Sequence, residues 1–308
     1  MHNIHEGRAA VNRLRRRVMR ITIAVYCCGG HYAPLPADLR TGEAVFGKRQ
    51  PRSSVSASKV SLLDQAVELL AASRYTVALT GAGISTPSGI PDFRSERSGM
   101  WKHVDALEVA SLWGFHDHPE RFYAWFRPLM QRAMQAKPNR AHRALARMEE
   151  ADRLRAIITQ NIDSLHQNAG SRCVLELHGH TRSATCLGCG KQEAAGPLLA
   201  ATLNGQPPPD CAACGGLMKP DVILFGEPLP YDAVARSQAE ALQCDVMLVV
   251  GTSLEVMPAA DLPPLARRRG AKLILINFSP TPLDSVMDVI VRLDVEDALD
   301  RIARRLGV

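Results

Sequence analysis

The alternation of apolar and polar residues becomes regular at Lys59. "SKVSLLDQAVELLAAS" carries apolar residues at helical spacing, and "TVALT" is an apolar run of strand length. "HPERFYAWFRPLMQRAM" and "NRAHRALARMEEAD" predict two helices separated by "QAKPN". Strand-like "LRAIITQ" and "CVLELHG" follow, then a Cys/Gly/Pro-rich insert at about 180–218, then strand-like "DVILFG". The last third alternates helix "YDAVARSQAEALQ", strand "DVMLVVG", helix "AADLPPLARRR", strands "AKLILIN" and "DVIVRL", and helix "VEDALDRIARRL". Continuous apolar strands alternating with amphipathic helices predict a parallel sheet covered on both faces. The expected fold is a doubly wound α/β domain with a small metal-binding lobe inserted. There is no internal repeat.

Composition changes this picture at one end of the chain. The 308 residues are 46% hydrophobic, enough for a substantial core. The net charge of +6 is uneven: residues 1–58 hold ten Lys/Arg against three Asp/Glu, which leaves 59–308 at −1. The body therefore offers no electrostatic reason to bind nucleic acid. Residues 1–58, rich in Pro, Ser and Arg, are expected to be a disordered extension, with an Arg-rich targeting peptide as the alternative. The folded body is expected at 59–308. No apolar run approaches the roughly 20 residues that span a bilayer.

Four of the eight cysteines stand in "CLGC" (Cys186, Cys189) and "CAAC" (Cys211, Cys214), with 21 residues between the pairs. Two intervening residues let both sulfurs of a pair face one metal. Four thiolates make a closed tetrahedral zinc site of structural type, with no position left for a catalytic water. Cys27, Cys28, Cys173 and Cys244 form no second framework and are read as packing or tail residues. Free thiols in that number suit a reducing compartment, and the chain is expected to be cytoplasmic.

After "TVALT" comes Gly81-Ala82-Gly83, the start of a dinucleotide-binding turn. The third small residue is replaced by Thr86, and Pro87 follows. No strand-ending acid stands about 20 residues later to hold a ribose, because Glu108 lies in helical "DALEVASLW". A hydride-transfer dehydrogenase is disfavoured. Strand–Gly–x–Gly–Ile–Ser still suits backbone contact with a pyrophosphate, with Ser85 adding a hydroxyl. A plain strand-to-loop turn explains the glycines but not "IPDFRS" after them.

"GAGIS…GIPDFRS", "TQNIDSLHQNAG", "ELHGH", the two Cys pairs, "KPDVILFGE", "VVGTSLEVMPAADLP" and "INFSPTPLD" resemble, in order, the motif series of the sirtuins. The resemblance runs from about Lys59 to the C-terminus. It implies an NAD-dependent protein lysine deacylase. In that chemistry the acyl oxygen attacks the nicotinamide ribose, nicotinamide leaves, and a histidine base activates a ribose hydroxyl. The products are free lysine, nicotinamide and O-acyl-ADP-ribose.

By this resemblance His178 is the general base. Taken alone, His178, His180 and His166 are equal candidates, and a satisfied structural histidine explains each as well. Asn161 positions the ribose and its water, Asp163 takes the nicotinamide carboxamide, and Gln160 contacts the ribose. Asn161, Asp163 and Ser164 are also good N-caps for "SLHQNAG". Ser164 stands where sirtuins usually have glycine. Phe93 and Arg94 resemble the loop over the cofactor, while Gly251, Thr252, Ser253 and Asn277 resemble the phosphate and adenosine contacts. Val222, Phe225, Gly226, Leu254 and Glu255 belong to the two segments between which an acyl-lysine peptide would add as a strand. Sirtuins that remove acidic acyl groups carry Tyr and, three residues on, Arg. Here Tyr123 is followed by Phe126, with Arg127 one place off, so acetyl or another neutral acyl is expected. The alternatives are protein mono-ADP-ribosylation, NAD hydrolysis, or a non-catalytic zinc-ribbon interaction module.

Overall fold

The computed structural model describes residues 61–92 and 105–308. The elements run α1 Leu62–Ala72, β1 Thr76–Thr80, α2 Ala106–Val109, α3 Leu112–Asp117, α4 Pro119–Gln135, α5 Arg140–Glu150, β2 Ala156–Thr159, α6 Leu165–Asn168, β3 Val174–Glu176 and β4 Gly179–Cys186. They continue with β5 Gln192–Ala194, α7 Ala195–Leu203, β6 Met218–Val222, α8 Tyr231–Gln243, β7 Val246–Val250, α9 Leu262–Arg268, β8 Lys272–Ile276, β9 Val289–Val291 and α10 Val295–Arg305. Where α1 starts, Ser61 and Asp64 close a capping box. The Asp64 N–H donates to Ser61 Oγ at 3.1 Å, and the Ser61 N–H donates to Asp64 Oδ2 at 3.1 Å.

Six strands form a parallel sheet in the order β3-β2-β1-β7-β8-β9. Every residue of β1 and β7 is buried, which is why these strands read as unbroken apolar runs. Successive side chains divide between two cores. Ala78, Val246, Leu248 and Val250 join α1, α5 and α10 on one face, through Leu70, Leu145, Leu299 and Ile302. Val77, Leu79, Met247 and Val249 join α8 and α9 on the other, through Ala241, Leu262 and Ala266. Each such Leu or Val, fully buried, contributes roughly 1.5–3 kcal/mol. The strand order reverses between β1 and β7, so the loops leaving their carboxyl ends part there, and open α/β sheets bind ligands in that crevice.

The inserted lobe is a three-stranded antiparallel sheet, β5-β4-β6, carrying α7. It runs from Gly179 to Val222 and shares a third core with α3 and α4, in which Phe115, Phe122, Tyr123 and Phe126 meet Leu199 and Met218. The strand expected over "DVILFG" is displaced. β6 begins at Met218 and ends at Val222, and Phe225 instead makes a lone parallel bridge to Ser111. The cause is register: β6 pairs with β4 from Met218, opposite Cys186, to Val222, opposite Gly179, and the apolar letters after Val222 leave the ladder. Among the described residues no helix is long and apolar enough to cross a membrane.

Candidate active site

At the end of β1 the chain turns through two short 3₁₀ segments, Ala82–Ile84 and Thr86–Ser88, where a dinucleotide fold would start a long helix. The Gly81 N–H donates to the Val250 carbonyl at 3.1 Å, and the Gly83 N–H to the Gly251 carbonyl at 2.8 Å. A Cβ on Gly83 would stand 2.8 Å from Gly251 Cα, and one on Gly251 would stand 2.4 Å from the Ile84 nitrogen. Chain-to-chain contact at the switch point is therefore a demand on these glycines that a phosphate-loop reading omits. Gly251 also has φ +60°, a left-handed conformation that favours glycine.

A polar cluster fills the angle between this turn and the loop after β2. The Ser85 hydroxyl, 1% exposed, donates to Asp163 Oδ2 at 2.7 Å. Asn161 Nδ2 donates to Ser85 Oγ at 3.1 Å and to the Gly81 carbonyl at 3.2 Å. The second oxygen of Asp163 accepts the Leu165 N–H at 2.9 Å. Burial raises the Asp163 carboxyl above its ordinary value, although both hydrogen bonds pull it down. Gln160 Nε2 donates to Thr252 Oγ1 at 2.9 Å, which ties the β2 loop to the β7 loop. N-capping is divided unexpectedly. Ser164 occupies the cap position at φ +59° with no side-chain cap bond, and Asp163 receives the helix N–H instead. Arg182 holds that strained serine, donating to Ser164 Oγ at 2.8 Å and pairing with Glu176.

His178 stands on the turn between β3 and β4, half-buried, with Nδ1 3.0 Å from the Gln160 carbonyl. A carbonyl only accepts, so Nδ1 carries the proton in the neutral ring and Nε2 is the basic nitrogen. The turn needs Gly179, at φ +72°, because a Cβ there would lie 2.1 Å from the Asp221 carbonyl oxygen. The other two histidines separate from it. His166 is 1% exposed and its Nε2 lies 2.9 Å from Thr80 Oγ1, whose own proton goes to Thr159. Burial drives its pKa well below the ordinary value, so it stays neutral and enclosed. His180 lies on β4 within electrostatic reach of Asp221.

His142 joins the Ser85–Asp163 cluster without any motif to mark it. This residue is 0% exposed on α5, its ring centroid 4.9 Å from that of His166. Its Nδ1 accepts the Asn139 N–H at 3.4 Å, so Nε2–H faces Ser85 Oγ at 3.5 Å. The order His142, Ser85, Asp163 is thus directional, each donating to the next. Burial pushes His142 down to about 4. The available signal was a histidine inside the apolar stripe of α5, among Ala141, Ala144, Leu145 and Met148.

Around the rim, Thr252 is buried and Ser253 half-buried, and Asn277 Nδ2 donates to the Ser279 carbonyl at 2.8 Å. Val222 and Leu254 are both 4% exposed, so their side chains belong to the core, whereas Phe225 and Glu255 face solvent. Phe93 and Arg94 lie outside the described residues.

The four insert cysteines converge as expected, with all sulfurs within 4.8 Å of one another. Cys186 and Cys214 are 3.5 Å apart and Cys189 and Cys211 3.8 Å, against roughly 3.8 Å between ligands of a tetrahedral ion with 2.3 Å bonds. The N–H groups of Cys189 and Gly188 point at Cys186 Sγ and hold its thiol down to about 6. The set fits zinc, with no further ligand required. Cys244 is buried under α8 and pushed up to about 12, and Cys173 meets Arg236, so both are packing residues.

A model of the Sir2 family matches residues 81–258, across both the glycine turn and the cysteine lobe. The chain belongs to the Sir2 family. An NAD-dependent protein deacetylase 1 of Pyrobaculum aerophilum is 45% identical over 244 residues, spanning 79% of this Sir2 chain and 94% of its own. An NAD-dependent protein deacylase of Aeropyrum pernix is 41% identical over 244 residues, spanning 79% and 97%. Among solved structures, a Sir2 complex with a p53 peptide and NAD aligns with TM-score 0.73 and 40% identity, covering 80% of this chain and 98% of that one. A Sir2 variant with a deacetylated p53 peptide and 3′-O-acetyl-ADP-ribose aligns with TM-score 0.74 and 40% identity, covering 79% and 96%. The residues of this Sir2 chain fit such a co-substrate. A carboxamide needs an acceptor for its N–H groups, and Asp163 is a part-buried carboxylate at the switch point, its two oxygens oriented by Ser85 and the Leu165 N–H.

Proposed function

We propose that this Sir2 chain removes acetyl, or another neutral acyl group, from protein lysines while consuming NAD, and releases nicotinamide and O-acyl-ADP-ribose. The observation that carries the reading is the tie between His178 Nδ1 and the Gln160 carbonyl, on the loop that also bears Asn161 and Asp163. When bound, NAD supplies a ribose carbon bearing nicotinamide as leaving group and hydroxyls that accept the acyl group. His178 takes a proton from a ribose hydroxyl at Nε2, and its Nδ1–H bond to Gln160 steadies the imidazolium that results. Asp163 accepts from the carboxamide, Asn161 and Gln160 hold the ribose, and Ser85 keeps Asp163 and Asn161 in mutual contact. Gly81, Ala82, Gly83, Gly251, Thr252, Ser253 and Asn277 line the place for the phosphates and adenosine.

The acyl-lysine peptide enters between 222–226 and 254–255. Val222 and Leu254 bury their side chains and form the floor, so the exposed Phe225, Gly226 and Glu255 are what the two segments present to the peptide. A neutral acyl group is supported by Tyr123. It is 3% exposed and its hydroxyl donates to the Met218 carbonyl at 2.9 Å, so it is engaged in the core. Zinc, held by Cys186, Cys189, Cys211 and Cys214, is structural. Cytoplasmic residence and no direct nucleic-acid partner belong to the same proposal, supported by free thiols and a body of charge −1.

Mass spectrometry of the protein with NAD and acetyl-, butyryl-, succinyl- and myristoyl-lysine peptides tests the reading. O-Acetyl-ADP-ribose with an equal amount of free lysine is expected. ADP-ribose without deacylated peptide would point instead to NAD hydrolysis, and an ADP-ribose mass gain on protein to ADP-ribosyl transfer.

A further inference from the structure

Beneath the 222–227 segment lies a charged pair that the reaction itself does not use. Lys219 on β6 is 7% exposed, and its ammonium donates to the Pro220 carbonyl at 3.0 Å and the Val222 carbonyl at 2.8 Å, with Glu227 Oε2 at 3.1 Å. An ammonium has three protons, and all three have acceptors. Glu227 Oε2 also accepts the Leu224 N–H at 2.7 Å, while the Glu227 N–H donates back to the Leu224 carbonyl at 3.0 Å. The turn Leu224–Glu227 is thereby closed from both ends, with Gly226 at φ +92° inside it and the ring of Trp113 packed against that glycine.

The clamp sits where the β4–β6 ladder fails. Register shifts between Gly179 and Ala184, opposite the stretch from Val222 to Pro220, and the ammonium takes both of those carbonyls. Burying an ammonium and a carboxylate is costly, and apolar residues of similar volume serve folding as well or better. What an ion pair adds is a fixed direction: it draws two backbone carbonyls and one N–H to a single point. Phe225 leaves this turn with its N–H on the Ala110 carbonyl and its carbonyl on the Leu112 N–H.

We propose that Lys219 and Glu227 are positioning residues for the acyl-lysine peptide, fixing the shape of the Leu224–Glu227 turn and so the direction in which Phe225 and Gly226 meet it. This rests on the reading of that segment as one wall of the peptide cleft. Because the pair leaves the zinc sulfurs and the Ser85–Asp163 cluster untouched, its loss should separate peptide binding from NAD binding.

The test is steady-state kinetics of Glu227→Gln and Lys219→Met with an acetyl-lysine peptide and NAD, alongside zinc content. Glu227→Gln keeps an acceptor for Leu224 and its own volume, so it carries the test even where Lys219→Met does not fold. The expected result is an increase of about tenfold or more in KM for peptide, with KM for NAD within about twofold and one zinc per chain retained. An unchanged peptide KM overturns the proposal. So does a parallel rise of both KM values, or a fall in kcat alone, because either marks a role in general stability. If the wild-type protein deacylates none of the acyl-lysine peptides, the underlying reading fails. If it is active and the variants match it, only the clamp fails.

Discussion

His178 and His142 show how placement separates two identical side chains. The first is half-buried with Nδ1 pinned to a carbonyl, and the second is enclosed and held neutral. His178→Ala is expected to lower kcat by about 10²–10⁴-fold while NAD still binds, checked by single-turnover assay and calorimetry. His142 and His166 both favour the folded state less as the solution becomes acid, because burial lowers the pKa of each. The folded value of His142 lies near 4 against 6.5 when free, so between those values the unfolded chain takes up a proton that the folded chain refuses. Its contribution is whole above pH 6.5 and is lost as pH falls toward 4, about 3 kcal/mol in all. Urea unfolding between pH 7 and 4.5 should therefore show a shallower pH slope for His142→Gln than for the wild type. A slope remains in the variant from His166, shifted in the same direction, and a slope equal to the wild type's would show that His142 does not titrate on unfolding.

At the scale of elements, the strands were legible because both faces of the sheet are covered, so "VALT" and "MLVV" carry no solvent-facing alternation. The cysteine spacing was legible for a local reason: each pair closes its own turn. The glycine turn was legible as a turn but not in its cause. Gly83 and Gly251 are far apart in sequence and meet only because β1 and β7 are sheet neighbours. Gly251→Ala is expected to lose about 2 kcal/mol or more and to raise KM for NAD, because a Cβ meets backbone that cannot move aside. Gly89 is the control. It has φ +89° but nothing within 4 Å of a built Cβ, so Gly89→Ala should cost only about 1 kcal/mol of left-handed strain. Chemical denaturation of the two variants distinguishes steric contact from backbone conformation.

Across the whole molecule, the lobe is bound into the body through the phenylalanines of α3 and α4, and Phe122 stacks on Phe126 at 4.9 Å in that shared core. Loss of the metal should therefore lower the unfolding temperature of the entire described body, not melt the lobe separately. Cys189→Ser, at an exposed ligand, is expected to bind less than one zinc per chain and to unfold in one transition at lower temperature. Cys244→Ser should keep its metal. Metal analysis and calorimetry check both, and a separate early transition for the lobe would show that its core is not shared.

Short-range patterning encodes the apolar strands, amphipathic helices, turn glycines and cysteine pairs, and with them the fold class and the zinc lobe. The ordered motifs also singled out His178, Asn161 and Asp163, which the fold brings to neighbouring loops. Which histidine is enclosed, why Gly83 and Gly251 lack side chains, that Tyr123 engages Met218 and that Lys219 closes on Glu227 emerge only when the chain is folded. Each of these depends on groups brought together by parallel crossovers or by a broken ladder. No periodicity along the chain records a contact between segments whose separation in sequence is set by the elements between them.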